Sequence, residues 1–331
     1  MLDYVVHRIV QLIPLLAAIS IIAFIIVELP PGNYLSVYIM QLEQQGAEVS
    51  EEEILGLERM YGLDKPVYMR YFKWVWNIMH GNLGRSLQWN KPVSELIGER
   101  IALTMMLSIF TLIFTWMVAI PIGIYSAVRQ YSVFDYTFTF LGFVGLATPN
   151  FLLALVLMWL SFAYLNIPIT GLFSLEYADA AWSFARICDL FKHLWIPIIV
   201  IGTAGTAGLI RIMRGCLLDE LRKQYVITAR AKGVSEIKLL FKYPVRIAIN
   251  PLISTIGWLL PQIVSGAAIT AIVLNLPTTG PLLLEALLYE DMYLAASFIL
   301  ILSALTVTGT LISDILLAWV DPRIRYRKVS K

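Results

Sequence analysis

Histidine and cysteine, which are frequent metal ligands and catalytic side chains, are scarce in this sequence. The three histidines, His7, His80 and His193, form no HExxH pattern and no other metal-ligand spacing. Cys188 and Cys216 lack metal or redox spacing, and they flank one apolar stretch that is a candidate membrane span. They should then face opposite sides of the membrane, which excludes a disulfide between them, and we interpret both as small apolar residues. We expect no catalytic residue, metal site or bound cofactor in this chain.

Energy coupling leaves no signature in this chain either. A Walker A loop requires Gly-Lys before Ser or Thr, and the dipeptide Gly-Lys does not occur here. An ion-gradient-driven secondary transporter or channel usually needs intramembrane charges or an inverted repeat, and we find neither. That class stays the alternative hypothesis, with a membrane enzyme behind it. Asp314 lies near the end of the last apolar run, and we interpret it as an interfacial residue.

Composition indicates an all-α polytopic membrane protein. The 331 residues are 59% hydrophobic and 15% charged, with a mean hydropathy of +0.75, whereas soluble domains carry about 25% charged residues. The net charge of +2, with no basic arm, argues against a nucleic-acid partner. The first apolar run is interpreted as a retained span, because no small-residue cleavage site follows it. Six runs of roughly spanning length predict about six transmembrane helices, at Ile9–Val27, Ile101–Val128, Tyr136–Leu165, Leu194–Ile210, Ile247–Leu284 and Leu294–Ser313.

Basic residues predict the orientation of these helices. Between Arg211 and Arg246 there are nine basic residues against three acidic ones, and the tail after Val320 adds five more. This side should be the cytoplasm, with both termini on it. The predicted organisation is therefore a first span within residues 1–28, an external loop or small folded element at 29–98, and a core bundle at 99–331. The bundle includes the basic loop, defined as residues 214–246, and a C-terminal tail at 321–331.

The basic loop is the segment most typical of a functional site. Leu217, Leu221 and Tyr225 recur at helical spacing and predict an amphipathic helix over Leu217–Lys232. Gly233 should end that helix, and Ser235 should cap a second helix over Ser235–Lys242 with Glu236 at its positive end. Spacing alone favours equally a docking element for another protein and a hairpin on the membrane surface.

One stretch of the basic loop resembles a known family. Tyr225–Glu236, of sequence YVITARAKGVSE, is similar to the conserved loop of ABC importer permeases of the dipeptide/oligopeptide family, which reads Tyr-x-x-Thr-Ala-Arg-Ala-Lys-Gly before an aliphatic residue and Ser. Further blocks that resemble the family are YVVHR at 4–8, YGLDKP at 61–66, GNLGRS at 81–86, TPNF at 148–151 and DPRIRY at 321–326. The resemblance covers nearly the whole chain.

The resemblance implies a type I ABC importer permease. Its expected partners are a second homologous permease subunit, two ATP-binding subunits, an extracytoplasmic solute-binding protein and membrane lipid, and it belongs in the cell inner membrane. ATP and magnesium are expected in the ATP-binding subunits only. The cargo should be a small oligomeric solute, such as an oligopeptide, a dipeptide or an oligosaccharide. The positions that match the ATPase-coupling motif are Tyr225, Thr228, Ala229, Arg230, Ala231, Lys232, Gly233, Ser235 and Glu236.

Three departures from the family pattern concern coupling and cargo. Ile227 stands where other importer families have Glu, and Lys242–Arg246 reads KYPVR instead of the usual His-Ala-Leu-Arg. Ala271 stands where an acidic residue is frequent.

Polar or small residues of the third and fifth spans are candidates for the translocation path, with interhelical packing as the alternative. They are Thr148, Asn150, Gln262, Ser265 and Gly266.

Overall fold

The structure is a computed structural model that describes residues 2–29, 35, 39–40, 54–56, 58–59, 64–166, 170–178, 180–256 and 268–320. Within these ranges the regular structure is helical, apart from one isolated antiparallel bridge between Arg85 and Pro92. The helices, numbered for this article, are α1 (Leu2–Glu28), α2 (Val67–Met79), α3 (Val93–Val128), α4 (Val133–Ala147), α5 (Asn150–Leu160), α6 (Phe184–Leu221), α7 (Gln224–Ala231), α8 (Glu236–Lys242), α9 (Pro244–Ala248), α10 (Ala268–Val273), α11 (Thr279–Leu288) and α12 (Met292–Val320).

In the part of the chain that the structure describes, four helices are long and apolar enough to cross a membrane. They contain the first, second, fourth and sixth predicted spans, at Val10–Glu28, Val93–Val128, Phe184–Leu221 and Met292–Leu317. Helices are the expected form of these runs, because lipid offers no hydrogen-bond partner to an open backbone. The apolar pattern therefore predicted these elements correctly.

The third predicted span is broken, where the sequence suggested one continuous run. Helix α4 ends at Ala147, and α5 begins at Asn150 after a bend of 104°. Pro149 has no N–H for the helical ladder, and its ring forces the preceding residue away from helical angles. Thr148 accordingly has extended backbone angles (φ −82°, ψ 123°). After α5, a short π-helical turn covers Ser161–Leu165.

The fifth predicted span lies partly outside the described residues, because 257–267 are not among them. The first described helix after this gap, α10, ends at Val273 in a Schellman turn. Leu276 N–H donates to the Ala271 carbonyl (2.7 Å), Asn275 N–H donates to the Ile272 carbonyl (3.0 Å), and Asn275 has a left-handed φ of 52°. The uncharged run over 247–284 therefore includes a turn before α11 and is not one helix.

The chain forms two compact units. The first comprises residues 1–4, 105–276 and 308–331, and the second comprises 5–104 and 277–307. In the first unit, α3, α6 and α9 share an apolar core that includes Ala119, Leu209, Met213 and Ala248. The crossing of α3 and α6 is close, since a Cβ on Gly123 would lie 2.7 Å from Met213 Cβ. This core supports the end of α6 from which the basic loop continues.

The second unit contains the described residues of the predicted external segment. Trp74 of α2 is buried, and its indole N–H donates to Ser297 Oγ of α12 (3.1 Å). Arg70 of α2 forms an ion pair with Glu28 of α1 (2.6 Å). Within the described residues, α2 and residues 80–98 pack against α1, α11 and α12; that segment 29–98 forms an external loop or small external element stays a prediction.

Asp291 connects the segment Ser86–Gln88, which comes after α2, to the start of α12. Its buried carboxylate accepts hydrogen bonds from Ser86 Oγ, from the N–H groups of Leu87 and Gln88 (2.9 and 3.2 Å), and from Leu294 N–H (3.2 Å). Burial raises the pKa of this carboxyl, and the four donors oppose that rise.

Candidate functional site

The basic loop consists of the end of α6 followed by three short helices. The predicted continuous helix over Leu217–Lys232 is wrong, because α6 ends at Leu221 and α7 starts at Gln224. At the break Lys223 is extended (ψ 147°), and its carbonyl accepts the N–H of Val226 (3.0 Å). No proline or glycine signals this break, so tertiary packing of α7 outweighs local helix propensity.

The turn between α7 and α8 is a complete Schellman motif around Gly233, as the sequence predicted. Gly233 has φ +77°, its N–H donates to the Arg230 carbonyl (3.0 Å), and Val234 N–H donates to the Ala229 carbonyl (3.3 Å). The accompanying apolar contact is present, since Val234 packs against the cluster that contains Ala229. The turn requires a left-handed backbone conformation at position 233, and glycine adopts this conformation without strain.

A small apolar core joins α7 to α8. Val226 and Leu239 are fully buried, Ala229 is nearly so, and Tyr243 packs against them. The small side chain of Ala229 leaves room for Val234 directly after the turn. The two helices therefore form one packed unit.

An ion pair across the turn adds a second link. Arg230 Nε lies 2.6 Å from Glu236 Oε1, and its Nη2 lies 3.1 Å from Oε2, so the guanidinium holds the carboxylate at two points. These hydrogen bonds lower the pKa of Glu236 and raise that of Arg230. Two residues of the predicted motif thus link the end of α7 to the start of α8.

The other motif residues are exposed, with local contacts or none. The Tyr225 hydroxyl donates to Glu220 Oε2, and burial together with this acceptor raises the pKa of the phenol. Thr228 Oγ1 donates to the Gln224 carbonyl (2.8 Å). Ser235 occupies the predicted cap position, but its side chain makes no capping hydrogen bond. Ala231 and Lys232 are also exposed.

Large apolar side chains face outward from this unit. Ile227 is 47% exposed, Ile237 76% and Phe241 58%. Ile237 and Phe241 are separated by one helical turn, so they lie on the same side of α8. This combination of a packed inner face and an exposed apolar outer face is typical of a surface that contacts another protein or a membrane.

Comparison with known proteins identifies the family. Residues 119–326 match the family described as the binding-protein-dependent transport system inner membrane component, and residues 1–109 match the model for the N-terminal part of such a component. The chain belongs to this family. Membership confirms the prediction of an ABC importer permease with the type I permease fold, and of a multi-pass membrane protein.

Relatives of this permease match over almost their whole length. An oligopeptide transport system permease protein of Bacillus subtilis (strain 168) is 35% identical over 327 residues, which are 98% of this chain and 100% of that protein. A dipeptide transport system permease protein of Alkalihalophilus pseudofirmus is 32% identical over 340 residues, 98% and 100% of the two chains. The Escherichia coli (strain K12) dipeptide transport system permease protein is 30% identical over 346 residues, 99% and 100%.

The departures from the family pattern have visible structural settings in this permease. Ile227 is part of the exposed apolar side of the basic loop. Pro244 is the first residue of α9, a position where its missing N–H costs no hydrogen bond. Ala271 is buried, and its carbonyl accepts the N–H of Leu276 in the turn that ends α10. An acidic side chain at this position would need its own polar partners.

The candidate path residues are only partly described. Thr148 and Asn150 flank Pro149 at the bend between α4 and α5, and Thr148 Oγ1 donates to the Val144 carbonyl (2.8 Å). Gln262, Ser265 and Gly266 lie outside the described residues. The assignment of these five residues to a translocation path stays a prediction.

Proposed function

We propose that this permease lines half of a translocation path and pairs with a second homologous permease subunit. In this proposal two ATP-binding subunits dock at the basic loops of the pair, and an extracytoplasmic solute-binding protein delivers the cargo. The observation that carries the proposal is the α7–α8 unit. Its inner face is packed, its turn is fixed at Gly233, and its outer face exposes Ile237 and Phe241.

Mechanical linkage through α6 supports alternating access as the mechanism. Helix α6 is continuous from Phe184 to Leu221, and only Arg222 and Lys223 separate it from α7. Leu217, near its end, packs in the same core as Val245 and Ala248 beyond α8. A displacement of the α7–α8 unit by closing ATP-binding subunits would therefore be transmitted directly to membrane helices.

The proposed cargo is a neutral or zwitterionic oligomer, and peptides are the favoured class. The relatives described above are named for oligopeptides and dipeptides. A free divalent cation would want carboxylate or imidazole ligands, whereas Ala271 stands at a frequently acidic position. Oligosaccharides are the second cargo class of the same proposal.

The proposed location is the cell inner membrane, with both termini and the basic loop in the cytoplasm. The excess of Lys and Arg in residues 211–246 and after Val320 supports this orientation. ATP and magnesium would then bind to the partner subunits on the cytoplasmic side, since this chain contains no Walker A sequence.

Association of the ATP-binding subunits with loop variants tests the proposal. Ile237→Asp places a charge on the outer apolar face and leaves the buried Leu239 untouched, whereas Ile237→Leu keeps the face apolar. We expect the Asp variant to retain little ATP-binding subunit in pull-down from the purified complex, and the Leu variant to retain the wild-type amount. Normal assembly and normal cargo uptake by Ile237→Asp would refute docking at this face.

A further inference from the structure

A groove lies between α4 and α6, within the first compact unit. Its volume is about 200 Å³. The residues that form its walls and rim include Phe138, Gly142, Phe143, Ile210, Arg211 and Arg214. The groove thus combines aromatic and aliphatic walls with two guanidinium groups.

The two arginines differ in how their charges are balanced. Arg214 Nη2 lies 3.1 Å from Oδ2 of the buried Asp135, so this pair is neutral overall. Arg211 instead stacks over the ring of Phe143, with its Cζ 5.4 Å from the ring centroid. Among the residues that the structure describes, no carboxylate lies within ion-pair distance of Arg211. Among the described residues that line the groove, Arg211 is therefore an arginine whose charge no carboxylate offsets.

Position along the helices places this charge near the edge of the hydrocarbon. Arg211 is the first charged residue after the uncharged run Leu194–Ile210. Helix α4 begins at Val133, so Phe138 and Phe143 lie within its first three turns. The adjacent side chains Phe140, Leu141 and Val144 are exposed and apolar, as expected of a surface that faces acyl chains.

We propose that the α4–α6 groove binds the headgroup of an anionic phospholipid, with its phosphate at Arg211 and its acyl chains along the apolar side of α4. An arginine held on an aromatic ring beside a neutralised second arginine offers directed donors to a phosphate. Basic pockets between membrane helices on the cytoplasmic side are suited to such headgroups. This inference rests on the orientation proposed above, and it adds a lipid site that transport itself does not require.

Binding of labelled lipid to the intact transporter tests the inference. Spin-labelled phosphatidylglycerol is titrated into the purified complex that carries wild-type permease, Arg211→Gln, Arg211→Lys or Arg222→Gln. Arg222 is an exposed arginine beyond the end of α6 and outside the groove, which makes it the matched charge control. Asp135 and Arg214 stay intact in every variant, so their buried pair is not disturbed.

We expect Arg211→Gln to weaken phosphatidylglycerol binding about fivefold, the factor that one basic residue contributes at an anionic surface. Arg211→Lys should restore most of the affinity, Arg222→Gln should match wild type, and phosphatidylcholine should bind weakly to all four. Unchanged binding in Arg211→Gln, or an equal loss in Arg222→Gln, would overturn the proposal. Displacement of the lipid by millimolar inorganic phosphate would also overturn it, because the site would then take a soluble anion.

Assembly measurements separate this inference from the proposed function. Arg211→Gln should co-purify with normal amounts of the second permease and of the ATP-binding subunits. Loss of the second permease, with lipid binding unchanged, would reassign the groove to the subunit interface and refute the lipid site. Failure of docking at the basic loop would instead appear in Ile237→Asp and leave the lipid titration unaffected.

Discussion

Replacement of Gly233 tests whether the shape of the α7–α8 turn matters. A left-handed backbone costs an L-residue roughly 1–2 kcal/mol, and more for a β-branched side chain. A Cβ at Gly233 would meet no atom within 4 Å, so the cost comes from backbone strain alone. If the turn is destabilised by about 1–2 kcal/mol, the ratio of native to non-native turn conformations falls by a factor of roughly 5–30.

We expect Gly233→Val to weaken binding of the ATP-binding subunits by up to this factor, because the apparent affinity falls with the fraction of permease that keeps the native turn. The permease should still be inserted and expressed, because this turn lies between short helices outside the candidate spans. Gly233→Asn is the matched control, since asparagine tolerates the left-handed region far better and also adds a side chain. Affinity is measured by titrating purified ATP-binding subunit against permease in nanodiscs, and cargo uptake is followed in parallel.

The control decides how the result is read. A large loss in Gly233→Val with near-normal binding in Gly233→Asn supports the backbone explanation. An equal loss in both variants would point to a direct steric contact at this position and would refute the strain argument. Normal binding and uptake in Gly233→Val would mean that the basic loop does not couple ATP hydrolysis to transport.

Three further predictions concern stability, topology and catalysis. Asp291→Asn replaces a carboxylate that accepts hydrogen bonds from four donors with an amide, and it should destabilise the permease by about 1–3 kcal/mol in thermal unfolding. The exposed control Glu285→Gln should leave the stability unchanged. Equal unfolding midpoints of the two variants would refute the stabilising role of Asp291. With both native cysteines replaced, Glu52→Cys should react with a membrane-impermeant reagent in intact cells and Lys223→Cys should not, and the reverse pattern would invert the topology. The purified chain alone should not hydrolyse ATP, and measurable partner-free hydrolysis would contradict that expectation.

Local signals in the sequence predicted much of this structure. Apolar runs identified the four long helices, because burial in lipid and backbone satisfaction leave few other choices. Gly233 was recognisable as a helix end, since few other residues adopt its backbone angles. The outward position of Ile237 and Phe241 on α8 is visible only in the structure.

Features that depend on distant contacts were not predictable. Asp291 and Ser86 are 205 residues apart, and no local pattern connects them. The break at Arg222 and Lys223 has no proline or glycine and follows from packing of α7 against Leu239. The 104° bend before Asn150 had a local cause in Pro149, but a proline inside an apolar run does not specify the angle.

Photo-cross-linking from position 237 tests most directly whether the basic loop docks an ATP-binding subunit. A benzophenone amino acid replaces Ile237 of this permease in the assembled transporter. In a separate control variant of the same permease it replaces the exposed Ile187, near the opposite end of α6. The account predicts a covalent adduct with the ATP-binding subunit from position 237 and none from position 187. Adducts from position 237 that contain only lipid would contradict docking and would identify the α7–α8 unit as a hairpin on the membrane surface.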